Sequence, residues 1–137
     1  MSGLELAEGG TELRDWFGAT PSFHDAEVIA LLLDRAGPTR LTIHTWRMTD
    51  KIEDGSFVLE KHVVVDFCLD AVSDCDLTGF NHQNVIDGIE IVKIPSGFKL
   101  TLGDCFGLYG SLVARSIRIE FKPGHPKGYV PARCSRT

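Results

Sequence analysis

The chain has 137 residues, 43% of them hydrophobic, and a net charge of -5, which fits one domain large enough to bury its own core. The longest apolar run, residues 28–33, is far shorter than the ~20 residues a membrane helix needs, and the acidic start at Glu5, Glu8 and Glu12 lacks the basic, then apolar pattern of a secretion signal. A cytoplasmic protein with no membrane partner is expected. Charge is uneven: residues 1–114 carry 8 Lys and Arg against 18 Asp and Glu, giving -10, and residues 115–137 carry 6 against 1, giving +5. Such an acidic body repels nucleic acid and favours basic partners.

The first ten residues end in Gly9-Gly10 and are expected to hold little fixed structure. Thr11 is an acceptable N-cap, Leu13, Trp16 and Phe17 share one helical face, and Gly18 is a stop signal, which predicts a short N-terminal helix. Pro21 biases Thr20 away from helix, so the chain turns at Phe23 and enters a strand over residues 26–34. That run is apolar on both sides, as in a central strand. Residues 35–38 read as a reverse turn into a second strand, with Leu41, Ile43 and Thr45 on one face and Thr42, His44 and Trp46 on the other.

A polar loop is expected over residues 50–56, followed by an alternating strand over residues 62–71. Residues 74–84 read as a loop or short helical turn, and residues 85–94 as a strand with a bulge at Gly88. Residues 94–98 read as a hairpin turn into a strand with Phe98, Leu100 and Leu102 at period two, residues 103–107 as another turn, and residues 108–114 and 116–121 as two further strands. About seven strands without long helices predict a mainly β domain: a single antiparallel sandwich or strongly curved sheet over residues 1–122. A basic, poorly ordered tail is expected over residues 123–137.

The densest group of ionisable side chains is Phe23-His24-Asp25-Ala26-Glu27. His24, Asp25 and Glu27 could serve acid-base chemistry, but neighbours on a strand face opposite ways, which favours a structural turn built from Trp16, Phe23, His24, Asp25 and Glu27. The five histidines, His24, His44, His62, His82 and His125, lack the spacing that places two ligands on one face, so no metal or other cofactor is expected. Cys68, Cys75, Cys105 and Cys134 form no Cys-x-x-Cys pair and read as free thiols. The Asp66/Asp70 and Asp104 carboxylates beside Cys68 and Cys105 disfavour thiolate nucleophiles. Asp66, Asp70, Asp74 and Asp76 form an acidic group suited to docking a basic protein surface, and Trp46 with His44 could line a groove. The glycines of residues 107–110 lack the lysine of a phosphate loop.

The segment Pro21-Ser22-Phe23-His24-Asp25-Ala26-Glu27-Val28, together with Phe80-Asn81-His82-Gln83-Asn84-Val85-Ile86 and the region from Leu108-Tyr109-Gly110 to Ile119, resembles a bacterial immunity family of polymorphic toxin systems, the one numbered fifty. The resemblance implies a small non-enzymatic protein that binds and neutralises a cognate toxin. An acidic body suits a basic toxin. A small-molecule-binding or homodimerising β module is the first alternative, and an enzyme using His24, Asp25 and Glu27 ranks last.

Overall fold

Alternation of apolar and polar residues runs through six antiparallel strands: β1 (Ala26–Leu32), β2 (Thr39–Glu53), β3 (Ser56–Thr78), β4 (Val85–Ile94), β5 (Gly97–Phe106) and β6 (Tyr109–Pro123). In the computed structural model, which describes residues 3–126, they close into one barrel in the order β1-β2-β3-β6-β5-β4. The expected mainly β, antiparallel class holds, and the curved sheet meets itself instead of splitting into a sandwich. Six strands stand where about seven were expected, because residues 108–114 and 116–121 belong to one strand. Ser116 pairs with Asp70 and carries β6 across the presumed break.

Period two sorts side chains between a packed interior and an outer wall. Leu41 and Ile43 of β2, Val65 and Phe67 of β3, Leu100 of β5 and Leu112 of β6 are fully buried. β1 departs from the expectation of burial on both sides. Ala26 and Val28 face inward, whereas Ile29 and Leu32 are exposed, since a single-layered barrel buries only one face of each strand.

Strand pairing extends into both predicted loops. Residues 50–56 pair as strand ends around Asp54-Gly55, both at positive φ (51° and 81°), the two-residue turn whose twist matches antiparallel strands. β3 continues through Thr78, bending at Ala71 (φ 54°), where its register against β6 shifts. A bulge between Ile86 and Ile89 confirms the irregularity expected at Gly88.

Residues 3–10 are structured, contrary to expectation. Leu4–Leu6 form a 3-10 turn that buries Leu4, and Ala7 is buried beside it. Glu8 then bridges to β6 by accepting from Ile119 N–H and donating to Ile117 C=O. Gly9, not Thr11, is the N-cap of α1 (Gly10–Phe17). Its φ of 90° and the nearness of the Ile119 carbonyl, into which a Cβ would run, both require glycine. Gly18 ends α1 as expected, donating to Arg14 C=O. Leu13 and Phe17 enter the core, while Trp16 packs on Phe121 of β6 with ring centroids 5.9 Å apart. The expected disorder of the basic tail concerns residues 127–137, outside the described residues. Residues 123–126 continue from β6, with Gly124 N–H donating to His62 C=O at 2.7 Å.

Candidate functional site

The barrel is not evenly sealed. β1 pairs with β4 only through Ala26 and Glu27, with one further bond from Val28 N–H to Asn84 C=O. On its β2 side, β3 has no strand partner beyond Leu69. Among the described residues, the outer half of β1 and the bent outer half of β3 therefore present unpaired edges across a seam. Two adjoining grooves of about 690 and 460 Å³ lie there, sharing Leu33 and Cys75 in their walls. Leu31, Leu77, Phe80 and Leu108 make the second groove apolar, and Asp34 and Asp70 line the first. Leu33 is 56% exposed and Phe80 63%. Asp74 and Asp76 flank exposed Cys75. Burial first, and then those two carboxylates, push the Cys75 thiol up, so the local potential is negative.

Asn84 holds this seam in shape. Its side-chain carbonyl accepts from Asn81 N–H at 2.9 Å and Leu108 N–H at 3.0 Å, and its amide donates to Asn81 C=O at 2.8 Å. Only 7% exposed, it fastens the residue 79–84 loop to both β1 and the Gly107-Leu108 turn. A Cβ on Gly107 (φ 86°) would approach the Asn84 side-chain oxygen to 2.6 Å, so that turn needs glycine. The carboxamide therefore has a structural role that its polar, loop-like setting in the sequence did not reveal.

Asp66 and Asp70 lie on the outer wall and are matched by arginines. Arg40 donates to Asp66 at 3.0 Å and lies 3.5 Å from Glu120, while Arg118 bonds Glu120 at 3.3 Å and lies 3.8 Å from Asp70. Thr42 and Ser116 hydroxyls also donate to Asp66 and Asp70 respectively. These two carboxylates join Glu120, Arg40 and Arg118 in an ion-pair ladder, whereas Asp74 and Asp76 stand further along β3. Cys68 lies beneath the ladder, in register between Arg40 and Arg118, with no exposed surface. Burial pushes its thiol up while Arg40 pulls the other way, leaving a weak nucleophile.

At the residue 23–25 turn, strand alternation fails as a guide. Phe23 and Asp25 both take positive φ (57° and 64°), so the turn is irregular and His24 lies 3.3 Å from Asp25 and 3.3 Å from Asp87 of β4. All three are more than half exposed. Phe23 points inward against Phe67 at 5.7 Å, and Asp25 N–H donates to Ile86 C=O. Trp16 and Glu27 do not join this cluster. Trp16 lies under Lys61, which donates to the Trp16 carbonyl at 2.6 Å, and Glu27 bonds His44.

Three histidines that sequence spacing kept apart converge on the outer wall. Glu27 faces His44 in the β1/β2 register, and its carboxylate accepts from His44 Nδ1 at 2.7 Å. A bulge sets Lys61 and His62 of β3 opposite Trp46 of β2, and brings His62 Nδ1 within 3.0 Å of His44 Nε2. His125, just past β6, lies over His62 with ring centroids 4.0 Å apart. The Trp46 ring flanks His44 and His62 at 5.1 and 6.0 Å. His44 is thus fully buried although it points away from the barrel interior. Burial first, then His125 and His44, lower His62 from 6.5 to about 4. Only register and the bulge bring these residues together, and neither is visible in one sequence.

Comparison with known proteins adds one match. No curated protein and no solved structure matches the chain. Among the described residues no helix is long and apolar enough to cross a membrane. The family model for Immunity protein 50 matches residues 10–122, a span that takes in α1, the Phe23 turn, the Asn84 loop and all of β1 to β5 with nearly all of β6. With most of the barrel inside that match, the chain belongs to the Immunity protein 50 family, and its role is of the immunity type.

Proposed function

We propose that this protein binds and neutralises a cognate toxin, non-enzymatically, at the seam between β1 and β3. The observation that carries this reading is the coincidence of two unpaired strand edges, exposed Leu33 and Phe80, and the Asp34 and Asp70 carboxylates of the first groove, with Asp74 and Asp76 on either side of groove-lining Cys75 in the chain. An extended segment of a partner can add to such an edge, main-chain hydrogen bonds giving affinity and side-chain pockets giving register. The carboxylates discourage pairing between copies of this acidic chain and attract a basic segment, which speeds association and makes it salt-sensitive. Asp66 and Asp70 contribute less to that field because Arg40 and Arg118 lie against them. Trp46 and His44 stand on the histidine wall and are not part of the proposed contact.

The test takes the product of a toxin-like gene found beside this one and measures its inhibition by purified protein. Stoichiometric inhibition by the native chain, lost in Asp74→Lys/Asp76→Lys at moderate salt, supports the reading. Equal inhibition by native and charge-reversed protein at every salt concentration removes the acidic rim from it. A homodimerising module is the second reading, favoured by Met48, Ile52 and Phe57, each more than half exposed on the β2/β3 arm. A concentration-dependent dimer that Ile52→Asp abolishes would support it.

A further inference from the structure

We infer that His44, His62 and His125 form a binding site for a late first-row divalent cation, of which Zn2+ is the representative, with Glu27 as its orienting carboxylate. One ligand nitrogen from each imidazole lies within 4.8 Å of the others, and the His44 Nε2 to His62 Nδ1 separation is 3.0 Å. Metal-nitrogen bonds of ~2.0–2.1 Å place tetrahedral ligand nitrogens roughly 3.3 Å apart. His44 and His62 are therefore nearly at bonding separation before any ion binds, and His125 has the remaining distance to close.

The proton arrangement suits a metal. A carboxylate only accepts hydrogen bonds, so the 2.7 Å contact to Glu27 assigns the His44 proton to Nδ1, and His44 Nε2 accepts from His62 Nδ1–H at 3.0 Å; a bound ion takes the place of that shared proton, and His62 then carries its proton on Nε2. Histidine ligands in metal sites commonly donate their second N–H to a carboxylate in this way, which fixes the tautomer and strengthens the ligand. The three imidazoles pack at 4.0 to 5.7 Å between centroids. Neutral nitrogen donors select zinc, copper, nickel or cobalt over magnesium or calcium, which prefer oxygen.

The placement also gives the ion a structural consequence. His44 is on β2, His62 on β3, and His125 beyond the end of β6, so a bound ion would tie the chain after the barrel's last strand to the outer wall. Three protein ligands leave a fourth position for water or a partner's side chain. The site lies further along β2 toward the Asp54-Gly55 arm than the seam does, and is lined by different residues.

The experiment uses the full chain without an affinity tag, stripped with chelator and titrated with Zn2+ by calorimetry, with metal content read by mass spectrometry. One ion per chain and a raised unfolding temperature are expected. His125→Ala, an exposed position, should fold normally and lose saturable binding, and His62→Ala should do the same. Glu27→Gln, which removes the orienting charge, should weaken affinity by about tenfold while leaving one site. Absence of stoichiometric binding by the stripped protein would overturn the inference, and so would full affinity in His125→Ala. Because His125→Ala changes no core residue, the result stands even if His62→Ala fails to fold.

Discussion

The seam and the histidine wall are built from the same strands and differ in what they leave unsatisfied. At the seam, β1 and β3 part, main-chain edges lie open, and Leu33 and Phe80 are exposed to solvent. At the wall, β2 and β3 pair across a bulge, and polar side chains close over one another until His44 has no exposed surface. An open edge asks for backbone and apolar contact over several residues, which only another chain can supply. A cluster of imidazoles oriented by a carboxylate suits something small and positive. The barrel thus separates a macromolecular surface from an ion-sized one.

The largest expected effect removes what the two regions share. Phe67→Ala empties the fully buried position against Phe23 and should cost about 3–5 kcal/mol in denaturant unfolding, degrading both regions together. Asn84→Ala should cost about 1–3 kcal/mol by stranding the Asn81 and Leu108 N–H groups. It would loosen the seam while leaving metal affinity at the wall unchanged, a split that breaks the comparison if both properties fall. Phe80→Ala, at an exposed position, should leave stability within about 0.5 kcal/mol yet weaken toxin binding by about 2 kcal/mol, as expected of an interface anchor.

Smaller effects separate the regions by pH and salt. His62 is lowered from 6.5 to about 4, so in metal-free protein the unfolded chain binds its proton more tightly than the folded one. Its contribution to stability is complete above 6.5 and is lost as pH falls toward 4. Unfolding midpoints across that window should decline in native protein and flatten in His62→Ala, whereas toxin association should respond to salt instead. Arg118→Ala on the solvent-facing ladder should leave the denaturant midpoint close to that of the native chain.

Period two made the strands legible. Val63, Val65, Phe67 and Leu69 alternate with polar neighbours, and all four are buried. Barrel closure was not legible, because apolar Ile29, Leu32 and Leu33 look like the outer face of a central strand. They face solvent where β1 loses its second partner. Asp54-Gly55 carried a hairpin signal within a polar stretch, and the flanking charges masked it. The Phe23 segment read as a structural turn, but the positive φ values that bring His24 beside both Asp25 and Asp87 were invisible to alternation. The histidine cluster depends on the Glu27/His44 register and the Lys61 bulge, which are long-range properties of pairing. The acidic group was visible by composition, but the neutralisation of Asp66 by Arg40 was not.

Amide hydrogen exchange in the free chain and in its complex with the adjacent-gene toxin tests the central claim most directly. Binding at the seam predicts that protection on complex formation concentrates in β1 beyond Val28 and in β3 beyond Ala71, while the β2/β3 arm exchanges as before. Protection confined to the arm, with the seam amides unchanged, would contradict it.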